Sequence, residues 1–192
     1  MAAESTGKAD GVNGLQRTGW HAVDPELRTA RLLLCRMRED DRDDLRRMHA
    51  DPRVMATLGG VRGDQQTEEF LRGAIAHWER HGFGFWTVRE LATGRFAGRG
   101  GLLHTAIAGG DDVEVAYAFL EEFWGRGLAT ELAQESVRVA FGVLGLPDVV
   151  CFAVPTNRAS RRVMEKIGFR YERDVMHHGL PHVFYRLRRA TR

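Results

Sequence analysis

The sequence predicts one α/β domain, a mixed sheet with helices on both faces. Stretches in which apolar residues recur at every second position alternate with stretches of helical period. Their order is strand, two helices, three strands, helix, strand, helix and two strands, the pattern of a sheet wrapped by helices. At 192 residues the chain is long enough for one full core and too short for two comfortable ones.

Residues 1–20 are small, polar and glycine-bearing without a period, which predicts a flexible tail ahead of a domain filling 21–192. The first strand falls at 31–37. A short helix follows over 40–50, acidic at its start with Leu45 and Met48 on one side, and Asp51-Pro52 ends it. Gly59-Gly60 marks a loop, and a second helix runs from Thr67 through Phe70, Ile75 and Trp78 to a stop at Gly82. Residues 83–89 and 95–103 flank Ala92-Thr93-Gly94 as a hairpin, with Phe83, Phe85 and Trp86 read as core packing rather than a cation cage. A turn at 109–112 leads into a strand over 113–120. Its bulky residues Val113, Val115, Tyr117 and Phe119 face one way, and Glu114, Ala116 and Ala118 face the other. The long helix spans 128–144. The wholly apolar 149–154 reads as a central strand covered on both sides. A helix begins after Asn157, and 169–175 with 183–187 close the fold as an antiparallel pair.

Composition narrows the function. Formal charge is +2, and although 26 of the 28 basic residues are arginine, acids nearly balance them and the arginines form no dense block. Nucleic acid is therefore not the expected partner. No stretch approaches the roughly 20 apolar residues that cross a bilayer, and residues 1–10 lack the pattern of a secretory signal. Cys35 and Cys151 lie within apolar runs, as free cysteines used as small hydrophobes do, which predicts a reduced, cytoplasmic protein.

The most informative segment joins the 113–120 strand to the long helix: Glu-Glu-Phe-Trp-Gly-Arg-Gly-Leu-Ala-Thr, 121–130. Gly125 and Gly127 permit positive φ and leave main-chain amides uncovered, so the amides can converge on one anion. The helix behind them aims its dipole at the same point. This reads as a phosphate-holding turn. A dinucleotide fingerprint, for which Asp148 would supply the ribose-binding acid, fits poorly. Thr130 stands at the third glycine, and only one strand-helix-strand unit of the required kind follows. Thirty residues on, Asn157-x-x-Ser160 opens a helix that ends Glu165-Lys166-Ile167-Gly168-Phe169.

On these two motifs, Trp124-Gly125-Arg126-Gly127-Leu128-Ala129-Thr130 and Asn157 to Phe169, the chain resembles the GNAT superfamily of N-acetyltransferases, closest to its RimJ/RimL-like branch, from about residue 28 to 188. Trp124 replaces the Gln or Arg of the general loop pattern. The resemblance implies a mostly antiparallel sheet splayed between two central strands, with acetyl-CoA as cofactor. It implies that the loop 124–130 holds the pyrophosphate. It also implies that pantetheine lies in the splay, against Phe119, Leu120, Asn157 and Ser160. The implied activity is direct acetyl transfer to a primary amine, either a small molecule or a protein N-terminus. A non-catalytic acyl-CoA-binding module and a transferase of another acyl group stand as alternatives, and a homodimer is compatible with the likeness.

Such chemistry needs a base, and Glu114, set on the small-residue face of its strand, is the candidate, its pKa raised by desolvation. A solvated surface carboxylate is the plain alternative. Ser160 stands three, four and seven residues before Val163, Met164 and Ile167, continues their stripe and so points inward from the first turn of its helix, a candidate donor to the departing thiolate. Where many relatives place a tyrosine seven residues after the asparagine, this chain has Met164, which cannot donate. A capping role for Ser160 and Asn157 is the plain reading. His177, His178 and His182 flank a turn with no carboxylate or thiol to complete a metal set, so they are read as contacts near the substrate mouth and as runner-up bases, and no metal is expected.

Overall fold

The computed structural model describes residues 23–107 and 110–190. The tail expected at 1–20, and Gly109 of the expected turn, lie outside the described residues. Among the described residues eight strands form one sheet: β1 (Glu26–Arg28), β2 (Leu32–Arg36), β3 (Phe85–Glu90), β4 (Phe96–Thr105), β5 (Asp112–Phe119), β6 (Asp148–Ala153), β7 (Arg170–His177) and β8 (Leu180–Arg188). Their spatial order is β1-β2-β3-β4-β5-β6-β8-β7, and every pair is antiparallel except β5 with β6.

The five main helices are α1 (Arg42–Ala50), α2 (Pro52–Met55), α3 (Asp64–His81), α4 (Leu128–Arg138) and α5 (Arg158–Lys166). Asp51-Pro52 ends α1 as expected but at once begins α2: the Asp51 carboxylate accepts from the Arg53 amide at 2.9 Å, and Pro52 occupies the first helical position. Gly82, in the left-handed region at φ 71°, stops α3 where the sequence says it should. The single helix expected over 128–144 is in fact α4 followed by a widened turn, Val139–Val143, closed by the Leu144 amide on the Val139 carbonyl at 3.0 Å. The apolar stripe continues through that turn, so periodicity alone could not reveal it.

Alternation along β4 sorts the helices onto two faces. Arg99 lies over the Phe70 ring of α3, its guanidinium carbon 4.3 Å from the centroid. At the next residue, Gly100, an added Cβ would stand 2.7 Å from a Leu132 methyl of α4. The α1–α3 pair therefore covers the Arg99 face and the α4–α5 pair the other. Leu132 is fully buried in the core shared with Leu34, Trp86, Leu102, Val115 and Val149. Burial of a side chain like this contributes about 1.5–3 kcal/mol.

β5 and β6 pair at one position, Glu114 with Val150, and part beyond it. Arg186 of β8 holds the closed end. It bonds Asp112 of β5 at 2.8 Å, Asp148 of β6, and Glu172 of β7 at 3.2 Å. With one end fastened and the strands twisting apart, a gap opens through the sheet toward Phe119 and Ala153. In open α/β sheets, ligands settle outside the carboxyl ends of parallel strands.

Candidate active site

At the open end of the gap stands the glycine turn. Gly125 and Gly127 adopt φ 72° and 77°, conformations that cost an L-residue about 1–2 kcal/mol. Gly127 is the residue before the first turn of α4. Among the described residues, the amides of 125–130 donate to no main-chain acceptor, while the Glu131 amide already closes onto the Gly127 carbonyl at 3.1 Å. Six uncommitted N–H groups at a helix start suit a diphosphate, and an added Cβ at Gly125 would meet nothing within 4 Å, so the approach is open.

The turn is braced from a distance. Glu131 accepts from Thr29 Oγ1 at 2.5 Å, from the Arg31 amide at 2.8 Å and from Arg31 Nε at 2.7 Å, while Arg31 donates onward to the Arg126 carbonyl at 2.8 Å. The Arg126 side chain pairs with Glu90 of β3. Arg126 thus serves the turn through its main chain and fastens it to the sheet through its charge. Arg31, about 100 residues away in sequence, carried no local signal of this role.

Between the turn and the vertex of the gap runs the edge of β5. The Leu120 amide donates to Ala97 at 2.9 Å and its carbonyl accepts from Phe123 at 3.0 Å, so its main chain is committed. By alternation the main-chain groups of Tyr117 and Phe119 point into the gap instead. The exposed Trp124 indole donates to the Phe119 carbonyl at 2.8 Å, tying the turn to that edge. Of the two β5-edge positions among the four expected to meet pantetheine, Phe119 turns its amide to the gap, and Leu120, its main chain committed, supplies only its side chain.

Glu114 sits at the vertex on the α1–α3 face. It is partly exposed, and burial of its surroundings raises its pKa to about 7, against an opposing pull from Arg99. A carboxylate poised near neutrality is suited to take a proton from an ammonium. Arg99 is itself buried, and desolvation brings it down to about 9, so it stays cationic at neutral pH. His49, bonded to Thr67 at 3.0 Å, is held to about 3, chiefly by burial and then by Arg99 and Arg62, and is neutral. Arg99, Arg62 and His49 were not singled out in the sequence. β4, α1 and the loop before α3 bring them together, and their spacing says nothing of it.

Ser160 lies on the opposite, α4–α5 face. Its Oγ is 3.1 Å from the Tyr117 hydroxyl, which also lies 3.2 Å from the Ser160 carbonyl. Burial first, then the neighbouring Cys151, push the Tyr117 phenol far above its ordinary value, so it is a neutral donor. Burial pushes the Cys151 thiol up as well, which leaves it protonated and unreactive. Asn157 caps α5 by accepting from the Ser160 amide at 3.0 Å, and its other end donates to Thr57 at 3.0 Å, linking α5 to the segment after α2. The capping reading of Asn157 is thus met in full. Tyr117 is the residue that sequence reasoning missed: alternation put it on the bulky face, where it is, but only the position of α5 shows where its hydroxyl ends.

The imidazoles of His177 and His182 lie 5.0 and 5.6 Å from the Phe152 ring, and the His178 ring lies tilted beside His177 at 4.1 Å. Among the described residues no three His, Cys, Asp or Glu side chains are grouped to hold a metal ion, and no helix is long and apolar enough to cross a membrane. Phe83, Phe85 and Trp86 are buried in the core, with Phe85 also 5.3 Å under the Arg99 guanidinium.

Comparison with known proteins gives a consistent result. Residues 31–170 match the acetyltransferase (GNAT) domain family. The chain is 29% identical over 135 residues to the uncharacterized protein YkkB of Bacillus subtilis, a span that is 70% of this chain and 78% of that one. It is 31% identical over 156 residues to the FsC-acetyl coenzyme A-N(2)-transacetylase of Aspergillus fumigatus, 75% of this chain and 64% of that longer protein. Among solved structures, an acetyltransferase from Agrobacterium tumefaciens superposes with a TM-score of 0.77 at 28% identity, covering 90% of this chain and 99% of its own. Since the family match runs unbroken from the strand ahead of α1 to the start of β7, and so takes in both sides of the parted strands, this chain belongs to the GNAT acetyltransferase family.

Proposed function

We propose that the protein transfers the acetyl group of acetyl-CoA to a primary amine by direct attack within a ternary complex. The observation that carries this reading is the gap through the sheet, with free amides at its open end and a carboxylate of raised pKa at its vertex. The amides of 125–130 hold the diphosphate, with Trp124, Arg126, Leu128, Ala129 and Thr130 shaping the turn around it. The gap-facing main chain of Tyr117 and Phe119 orients the arm that follows, and Leu120, Asn157 and Ser160 wall it. Acetyl-CoA supplies the acyl group and the thiol leaving group; the protein supplies orientation and proton traffic.

Glu114, ionised above about pH 7, removes the proton from the incoming ammonium on the α1–α3 face. The nitrogen–carbon bond then forms as the carbon–sulfur bond breaks, and the second proton that the nitrogen sheds goes to the sulfur, which leaves as the free thiol. The Tyr117 and Ser160 hydroxyls, on the far side of the gap, donate to the departing thiolate. A route through an acylated cysteine is disfavoured because Cys151 is held as the neutral thiol. We assign the chain to the RimJ/RimL-like branch, a reading supported by the resemblance of the 124–130 turn and the Asn157-x-x-Ser160 helix to that branch's motifs. With its cysteines free we assign it to the reducing cytoplasm. The name of the Aspergillus relative, which speaks of acetyl coenzyme A and an N(2) position, supports the cofactor and an amine acceptor.

The test is release of free thiol from acetyl-CoA across a panel of amines. Release that depends on the amine supports the transferase. Binding of acetyl-CoA without release for any amine would make the protein an acyl-CoA-binding module instead.

A further inference from the structure

On the face of the sheet covered by α1 and α3, the chain buries an arginine and gives it no carboxylate. Arg99 is 6% exposed, its Nε is sequestered without a partner, and among the described residues its side chain forms neither an ion pair nor a hydrogen bond. What it has is aromatic: its guanidinium carbon lies 4.3 Å from the Phe70 centroid and 5.3 Å from that of Phe85. Arg62 lies 5.4 Å from the same Phe70 ring, half-buried, and it too has no ion pair among the described residues. The contrast with Arg186, surrounded by three carboxylates, is plain. Withdrawing an arginine from water without a counterion costs several kcal/mol, and stacking on rings returns only part of that. The surroundings hold two cations and one acid, Glu114, which does not approach Arg99 closely enough to form an ion pair. His49 is neutral there and adds no compensation.

We propose that Arg99, seconded by Arg62, receives a carboxylate of the acceptor, so that the substrates of this enzyme are amines that carry a carboxylate, amino acids foremost. The inference rests on the acetyl-transfer reading above and names its acceptor class. The planar guanidinium fork matches a carboxylate with two parallel hydrogen bonds, and its bracing by Phe70 and Phe85 fixes the plane in advance. The positions agree as well. Arg99 pairs with Ala118 and Leu103 pairs with Glu114, so arginine and acid share one face of adjacent strands. Their positions on β5 are about 13 Å apart at ~3.3 Å per residue, and the reach of the arginine side chain shortens this to the span of a small molecule. An amino acid placed there directs its ammonium to Glu114 and its carboxylate to Arg99.

The experiment compares three series with acetyl-CoA: the twenty L-amino acids, their carboxamides, and the matching amines without the carboxyl group. We expect the free acid to exceed its carboxamide by about 100-fold in kcat/KM, mainly through KM, the size of a desolvated charge pair. In Arg99→Met this ratio falls to near one, and in Arg62→Met it falls by about 10-fold. Arg62→Met, at a less buried position, serves if Arg99→Met fails to melt cooperatively. Amines acetylated alike with and without a carboxylate would overturn the acceptor class and leave acetyl transfer standing. If no amine releases thiol, acetyl transfer itself fails. Calorimetry of the same amino acids into the CoA-saturated protein then decides the anchor: binding lost in Arg99→Met supports it, and absence of binding in wild type refutes it.

Discussion

The two faces of the gap are built in opposite ways. The side we assign to the cofactor is local: seven consecutive residues, two glycines at positive φ and a helix start leave main-chain amides free to hold an anion. The side we assign to the acceptor is convergent, with Glu114 from β5, Arg99 from β4, Arg62 from the loop before α3 and Phe70 from α3 meeting only in the folded chain. A main-chain site tolerates change in its side chains and fails when its backbone is forced. A side-chain site fails at single residues, and it is where specificity is set.

That contrast can be broken most sharply at Glu114. Glu114→Gln should lower kcat/KM by about 10²–10⁴, the usual worth of a positioned base, with the dissociation constant of acetyl-CoA little changed by calorimetry. In wild type the rate should rise with pH through about 7 as Glu114 ionises, and the variant should lose that limb. Because Arg99 pulls the Glu114 value down, Arg99→Met should move the limb to higher pH. An unshifted profile in both variants removes Glu114 from the mechanism.

The complementary test is Gly127→Ala. An alanine in the left-handed region costs about 1–2 kcal/mol, so either the turn shifts or the helix start frays, and acetyl-CoA should bind about 10-fold more weakly while acceptor discrimination is retained. Tyr117→Phe and Ser160→Ala come next. Each should slow turnover by about 10-fold, and the double variant by less than the product, since the two hydroxyls bond each other. Full additivity in kcat would mean that they do not act as a unit.

The smallest effect is on stability. His49 is held to about 3 and His77 to about 4, so as pH falls from their ordinary 6.5 the unfolded chain gains protons that the folded chain refuses, and stability declines. Glu114 acts with the opposite sign. Raised to about 7 from 4.5, it holds a proton in the folded state that the unfolded chain releases, so stability increases as pH falls through that window. Glu114→Gln removes the compensation, and the urea midpoint should fall more steeply between pH 7 and 4.5 than in wild type. Equal slopes would contradict the Glu114 assignment.

Legibility followed the same division. The turn's backbone could be read from Gly125 and Gly127 because positive φ is a property of adjacent residues, and the face of Glu114 could be read from alternation because a strand has a period of two. The mixed sheet and its helices emerged from periodicity for the same reason. β1, three residues long, and α2, four, are too short to show a period, and both escaped notice. Arg31, Tyr117 and Arg99 could not be assigned, since each acquires its place from partners distant in sequence. Arg99 in particular reads as one more arginine in an arginine-rich chain until burial distinguishes it.

The most direct test of the whole account is an amide NMR titration with coenzyme A. It should produce the largest shift changes at residues 125–130, followed by Tyr117 and Phe119 along the edge of β5, with the carboxyl-bearing acceptor adding changes at Arg99 and Glu114. Changes centred elsewhere on the sheet, or none at saturating coenzyme A, would contradict it.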